Sequence, residues 1–135
     1  MISPAARGVA QYQRTAVECG TPLELVVSLY DGAISSLDKA RTGVVQNDLH
    51  ARRAGLSRAM ACVSELQSSL DMNAGGEIAR SLDALYRYLI SRMIDANTKK
   101  DSTALDEVHR LLTTLREGWQ QIASSPPGAG PRISP

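Results

Sequence analysis

At 135 residues and a net charge of +1, the chain has room for one domain with one core and lacks the basic excess of a nucleic-acid surface. Hydrophobic residues reach 43%, yet aromatics are only 4% and Phe is absent, so the apolar mass is Leu, Val, Ile and Ala. Its apolar runs fall far short of the ~20 residues of a membrane span, and Cys19 and Cys62 are too few for a disulfide framework.

The opening Met1-Ile2-Ser3-Pro4-Ala5 has neither the charged start nor the apolar stretch of a signal peptide, so a reducing cytoplasm is the expected compartment. Residues 5–19 place Val9, Tyr12, Ala16 and Cys19 at helical spacing. With so little large apolar surface, this short amphipathic helix is marginal by itself. It is expected to pack reversibly on the rest of the chain.

A first long helix is predicted over residues 22–46. Thr21 can cap it, Pro22 suits the first helical position, and Glu24 stands where a capping box wants an acid. Leu23, Val26, Val27, Tyr30, Ile34 and Leu37 make a core face, with the Tyr30 hydroxyl expected near water at its rim. Leu25 and Leu29 point away from that face. Gly32 and Ala33 either admit a close backbone neighbour or are tolerated toward solvent. Asn47-Asp48 breaks the helix.

The second helix, over 49–70, carries Leu56, Ala59, Met60, Val63, Leu66 and Leu70 on one side, and Gly75-Gly76 is expected to supply its exit. The third, over 77–98, has a core stripe of Ile78, Leu82, Leu85, Leu89 and Met93, with Tyr86, Ile90 and Ile94 on an adjoining flank and Tyr88 opposite. The fourth starts at Asp101 or Ser102, either able to cap, and runs to 123 with Leu105, Val108, Leu112, Leu115, Trp119 and Ile122 in line. The expected architecture is all-α: an antiparallel up-down four-helix bundle over 21–123, a helical capping segment over 1–20 packed on it, and a disordered Pro/Gly-rich tail over 124–135.

Catalytic signatures are missing. A di-iron bundle needs Glu-x-x-His twice, and the nearest imitation is Asp106 with His109. Gly75-Gly76 lacks the Lys-Ser/Thr of a phosphate loop, Cys62 reads as a small core residue, and no Gly-x-Ser-x-Gly occurs. Neither an active site, a metal nor a cofactor is expected. What the sequence offers is apolar excess: Leu25, Leu29, Ile90 and Ile94 exceed what one buried stripe needs. Either wide stripes or the N-terminal segment bury them, or they form a groove for an amphipathic helix or an extended apolar peptide.

Several blocks then fall in order. Tyr12-Gln13, Thr21-Pro22-Leu23-Glu24-Leu25-Val26, Leu29-Tyr30-Asp31-Gly32-Ala33 and Glu65-Leu66-Gln67-Ser68-Ser69-Leu70-Asp71 are followed by Gly75-Gly76-Glu77-Ile78-Ala79, Leu85-Tyr86-Arg87-Tyr88-Leu89, Ala96-Asn97 and Trp119. Together they resemble the flagellar secretion chaperone family FliS across residues 12–122. The resemblance implies a cytoplasmic helical bundle that binds the C-terminal segment of newly made flagellin, prevents its premature polymerisation and helps deliver it to the flagellar type III export gate. It also implies that the segment carrying Tyr12 covers part of the binding surface and is displaced by flagellin. The partner-binding candidates are Leu25, Leu29, Tyr30, Ala33, Tyr86, Ile90 and Ile94, although Tyr86 and Trp119 have core spacing. Two alternatives stay open: an adaptor for another flagellar protein or regulator, and a metal-dependent bundle enzyme.

Overall fold

The computed structural model describes residues 22–99 and 101–124. These form helices α1 (Pro22–Val45), α2 (Leu49–Ser68), α3 (Gly76–Lys99) and α4 (Ser102–Ser124). The expected cap Thr21, the segment over 5–19 with Tyr12 and Cys19, and the tail from 125 onward lie outside the described residues. Ser124, expected in the tail, is the last residue of α4.

Cross-helix pairs fix the direction of each neighbour. Asp31 meets Arg116, Asp38 meets His109 and Arg41 meets Asp106, so α4 descends as α1 ascends. Gly32 faces Cys62 and Gly43 faces Arg52, giving α2 the same opposition to α1. Between α3 and α4, Tyr88 reaches Glu107 and Arg92 reaches both Glu107 and Asp101. Gln67 Nε2 donates to Asp83 Oδ1 at 2.9 Å across α2 and α3. Each helix packs on its two ring neighbours, so the bundle is antiparallel and up-down, as expected. One end holds Pro22, Ser68, Gly76 and Ser124, and is called the Gly76 end. The other, with Val45, Leu49, Lys99 and Ser102, is the Asp48 end.

Local chemistry sets the helix ends. Asn47 takes a positive φ of 56°, and Asp48 Oδ1 then accepts the Ala51 N–H at 3.1 Å, capping α2. Ser69 closes α2, its hydroxyl donating to the Leu66 carbonyl at 2.7 Å. The glycine pair therefore does not end α2. Gly76, at φ 54°, opens α3 instead, and a Cβ on Gly75 would lie 2.6 Å from that of Ala79. Asp71 Oδ1 ties the connecting loop by accepting the N–H groups of Asn73 and Ala74. At α4 it is Asp101 that caps, through the N–H groups of Thr103 and Ala104.

The predicted stripes converge on one core. Tyr30, Leu37, Leu56, Val63, Leu66, Tyr86, Leu89, Met93, Leu105, Val108 and Leu112 are fully enclosed, with Ala33, Ala40 and Ala59 between them. Gly32 meets a side chain, not the close backbone neighbour that one reading had it admit: a Cβ there would lie 3.2 Å from Cys62 Sγ. Gly118 is different, since nothing stands within 4 Å of a Cβ on it. Gly118→Ala is therefore expected to stabilise the bundle by up to about 1 kcal/mol through helix propensity alone, seen as a higher thermal midpoint in circular dichroism.

Candidate functional site

At the Gly76 end the helices leave a cavity of about 240 Å³. Leu23 and Val26 of α1, Leu66 of α2, Leu70 of the loop after it, Ile78 and Leu82 of α3, and Trp119 of α4 line it, with Tyr86 at its base. The polar groups of this wall are spent on one another. The Tyr30 and Tyr86 hydroxyls are 2.6 Å apart, and Trp119 Nε1 donates to the Tyr30 oxygen at 3.1 Å. Ser69 and Asp71 also border the opening, the first donating to the Leu66 carbonyl and the second accepting from the Asn73 and Ala74 N–H groups. The rest of what faces it is apolar. Such a cavity can take up a hydrophobic side chain but offers no nucleophile or base.

A wider groove of about 530 Å³ runs along the outer α1–α2 seam. Its walls include Ser35, Asp38, Lys39, Thr42 and Arg58, polar groups open to water, so it provides no comparable apolar anchor.

The expected surface residues divide. Tyr30, Ala33 and Tyr86 are inside the core with essentially no exposure, and only Tyr86 borders the cavity. The Tyr30 hydroxyl is not near water, because Trp119 and Tyr86 enclose it from α4 and α3. Leu25 and Leu29 are half-buried rather than turned away. At 100° per residue they share the azimuth of Ser36 and Gly43, the side that α1 presents to α2. Ile90 packs on the core, whereas Ile94 is 49% exposed. Leu25 lies near the Gly76 end and Ile94 near the Asp48 end of the diagonal helix, roughly 20 Å further along the axis. These four residues do not form one continuous patch.

Several charged groups near these surfaces pair across the helices. The Arg92 guanidinium and then the Tyr88 hydroxyl hold the Glu107 carboxyl below its ordinary range. Asp106 and His109 each find an α1 partner, Arg41 and Asp38. Burial pushes the Cys62 thiol up, with Arg58 opposing, which suits a packing residue better than a nucleophile.

Across residues 5–126 the chain matches the family described as flagellar protein FliS. The chain belongs to the FliS family. It is 38% identical over 123 residues to the flagellar secretion chaperone FliS of Salmonella typhimurium, covering 87% of this chain and 91% of that one. Identity to the chaperone FliSB of Pseudomonas aeruginosa is 32% over 123 residues, 88% of this chain and 98% of the relative. With FliS of Bacillus subtilis it is 32% over 114 residues, 84% of each. FliS is a family of chaperones, not enzymes, which agrees with an apolar cavity whose polar groups are already paired. None of the described helices of this FliS chain is long and apolar enough to cross a membrane.

Sequence reasoning placed Leu23, Val26, Leu66, Leu70, Ile78 and Leu82 in the core and missed that they line an opening. A signal was present: Leu66, Ile78 and Leu82 end their stripes on either side of the loop over 69–75, the longest break between described helices, and Leu70 lies within it.

Proposed function

We propose that the chain is a cytoplasmic export chaperone that holds the C-terminal segment of flagellin, prevents its early polymerisation and assists its delivery to the flagellar type III secretion apparatus. The observation that carries this reading is the apolar cavity at the Gly76 end of a FliS-family bundle. An apolar side chain entering it contributes roughly 1.5–3 kcal/mol. Leu25 and Leu29 extend the surface along α1, Ile90 and Ile94 provide a separate contact on α3, and Tyr30, Ala33 and Tyr86 support it from below. Tyr12 is ten residues before Pro22, which starts at the same end. That span is ample for the N-terminal segment to cover the cavity until flagellin displaces it.

Titration calorimetry of the full chain with purified flagellin tests the proposal. One-to-one binding is expected. Leu25→Asp and Ile94→Asp, both at positions with solvent access, are expected to weaken it about tenfold or more, since a carboxylate then faces apolar partner surface. Circular dichroism should stay helical for both. Absence of heat and of co-elution with flagellin would overturn the reading.

A further inference from the structure

Arg52 stands where the α2 core stripe calls for an apolar residue, four before Leu56. It is only 8% exposed, and its Nε is enclosed without a hydrogen-bond partner. Among the described residues its guanidinium has no ion pair. A buried guanidinium without a counter-ion is costly. Among the described residues the other enclosed side-chain polar atom without a partner is Asn97 Oδ1, in the last turn of α3 and at the same Asp48 end.

The surroundings supply a place for the missing anion. Arg52 lines a cavity of about 310 Å³ with Gly43, Val44, Asn47, Asp48 and Leu49, at the positive N-terminus of α2. Asp48 is the acid on this wall, and its Oδ1 is taken by the Ala51 N–H. A carboxylate fits a guanidinium fork with two parallel hydrogen bonds.

We propose that Arg52 anchors the free α-carboxylate at the end of a bound polypeptide. This rests on the flagellin reading, since a C-terminal segment brings that group with it. From the apolar cavity to Arg52 is about 27 Å along the bundle, which a chain covers in about eight extended residues or eighteen helical ones.

The test uses a synthetic peptide of the cognate flagellin C-terminal segment, made as the free acid and as the amide, against the full wild-type chain and Arg52→Met. The acid is expected to bind wild type about tenfold more tightly than the amide, and Arg52→Met to bind both alike. Arg52→Met should melt no lower than wild type, because an apolar side chain replaces an unpaired charge. Equal binding of acid and amide by wild type, or a preference that survives Arg52→Met, overturns the anchor while leaving the flagellin reading intact. Inorganic phosphate that raises the melting point of wild type alone, with both peptides binding alike, assigns the site to a small anion and also overturns it. If neither peptide binds wild type, the flagellin reading fails and the anchor with it.

Discussion

Gly55→Ala is expected to lower the thermal midpoint by roughly 10–20 °C. A Cβ on Gly55 would lie 2.5 Å from the Ser36 carbonyl oxygen and 2.8 Å from the Ala40 nitrogen. Both are backbone atoms of α1, so no rotamer change relieves the clash. The helices themselves must part, which opens the seam where Ser36 and Ala40 are now enclosed. Gly43 makes the reciprocal approach, with a Cβ position 2.6 Å from the Arg52 nitrogen. Overpacking of this kind costs about 1–3 kcal/mol, and the upper half of that range applies because backbone, not side chain, must give way. For a domain near 100 residues each kcal/mol shifts the midpoint by about 4–8 °C. Circular dichroism melts of Gly55→Ala beside Gly118→Ala separate the effect from propensity: the two changes are chemically identical, and the expected shifts have opposite signs. A Gly55→Ala midpoint equal to that of wild type would refute the close approach of α1 and α2.

The same glycines show what periodicity conveys and what it hides. Leu56, Ala59, Val63 and Leu66 repeat at helical spacing, so the α2 core face was legible at once. Gly43 and Gly55 were passed over because a single glycine within a helix looks merely tolerated. Their meaning lies in what stands opposite, Arg52 for one and Ser36 with Ala40 for the other, and this becomes visible only when two helices are paired. Leu25 and Leu29 call for a related distinction. One stripe per helix was assumed, but a helix in a four-membered ring faces two neighbours, and α1 turns the azimuth of these leucines to α2. The family motif pointed to a chaperone without locating a surface. The cavity residues Leu23, Val26 and Leu82 are ordinary stripe members in sequence, and only the packed bundle brings them around one cavity with Leu70 of the loop over 69–75. Arg52 was overlooked because an arginine on a predicted helix is read as solvent-facing, although its offset of four from Leu56 already placed it in the stripe.

Tyr30→Phe is expected to cost about 2–4 kcal/mol, more than any other removal of a single oxygen from this core. Its hydroxyl is the junction between three helices: it contacts the Tyr86 hydroxyl on α3 at 2.6 Å and accepts from the Trp119 indole on α4 at 3.1 Å. Removing it deprives two groups on two other helices of a partner. Tyr86→Phe leaves the indole bond in place and should cost about half as much. The double variant should then cost less than the sum, since both changes break the same bond. The titration of Tyr30 gives an independent check. Burial pushes its phenol above the ordinary value near 10, and the hydrogen bonds from Tyr86 and Trp119 only partly offset that. Below about pH 10 the folded and unfolded chains both keep the proton, so the contribution of this group to stability is intact. As the pH rises further, the unfolded chain releases the proton while the folded chain still holds it, and stability falls. Urea unfolding of wild type followed into this alkaline range should show that loss, with tyrosinate absorbance developing in part only on unfolding. In Tyr30→Phe the alkaline slope should be shallower, although the starting stability is lower. An equal slope in both proteins would mean that Tyr30 ionises as freely in the bundle as in the open chain, and the closed junction at the base of the apolar cavity would have to be abandoned.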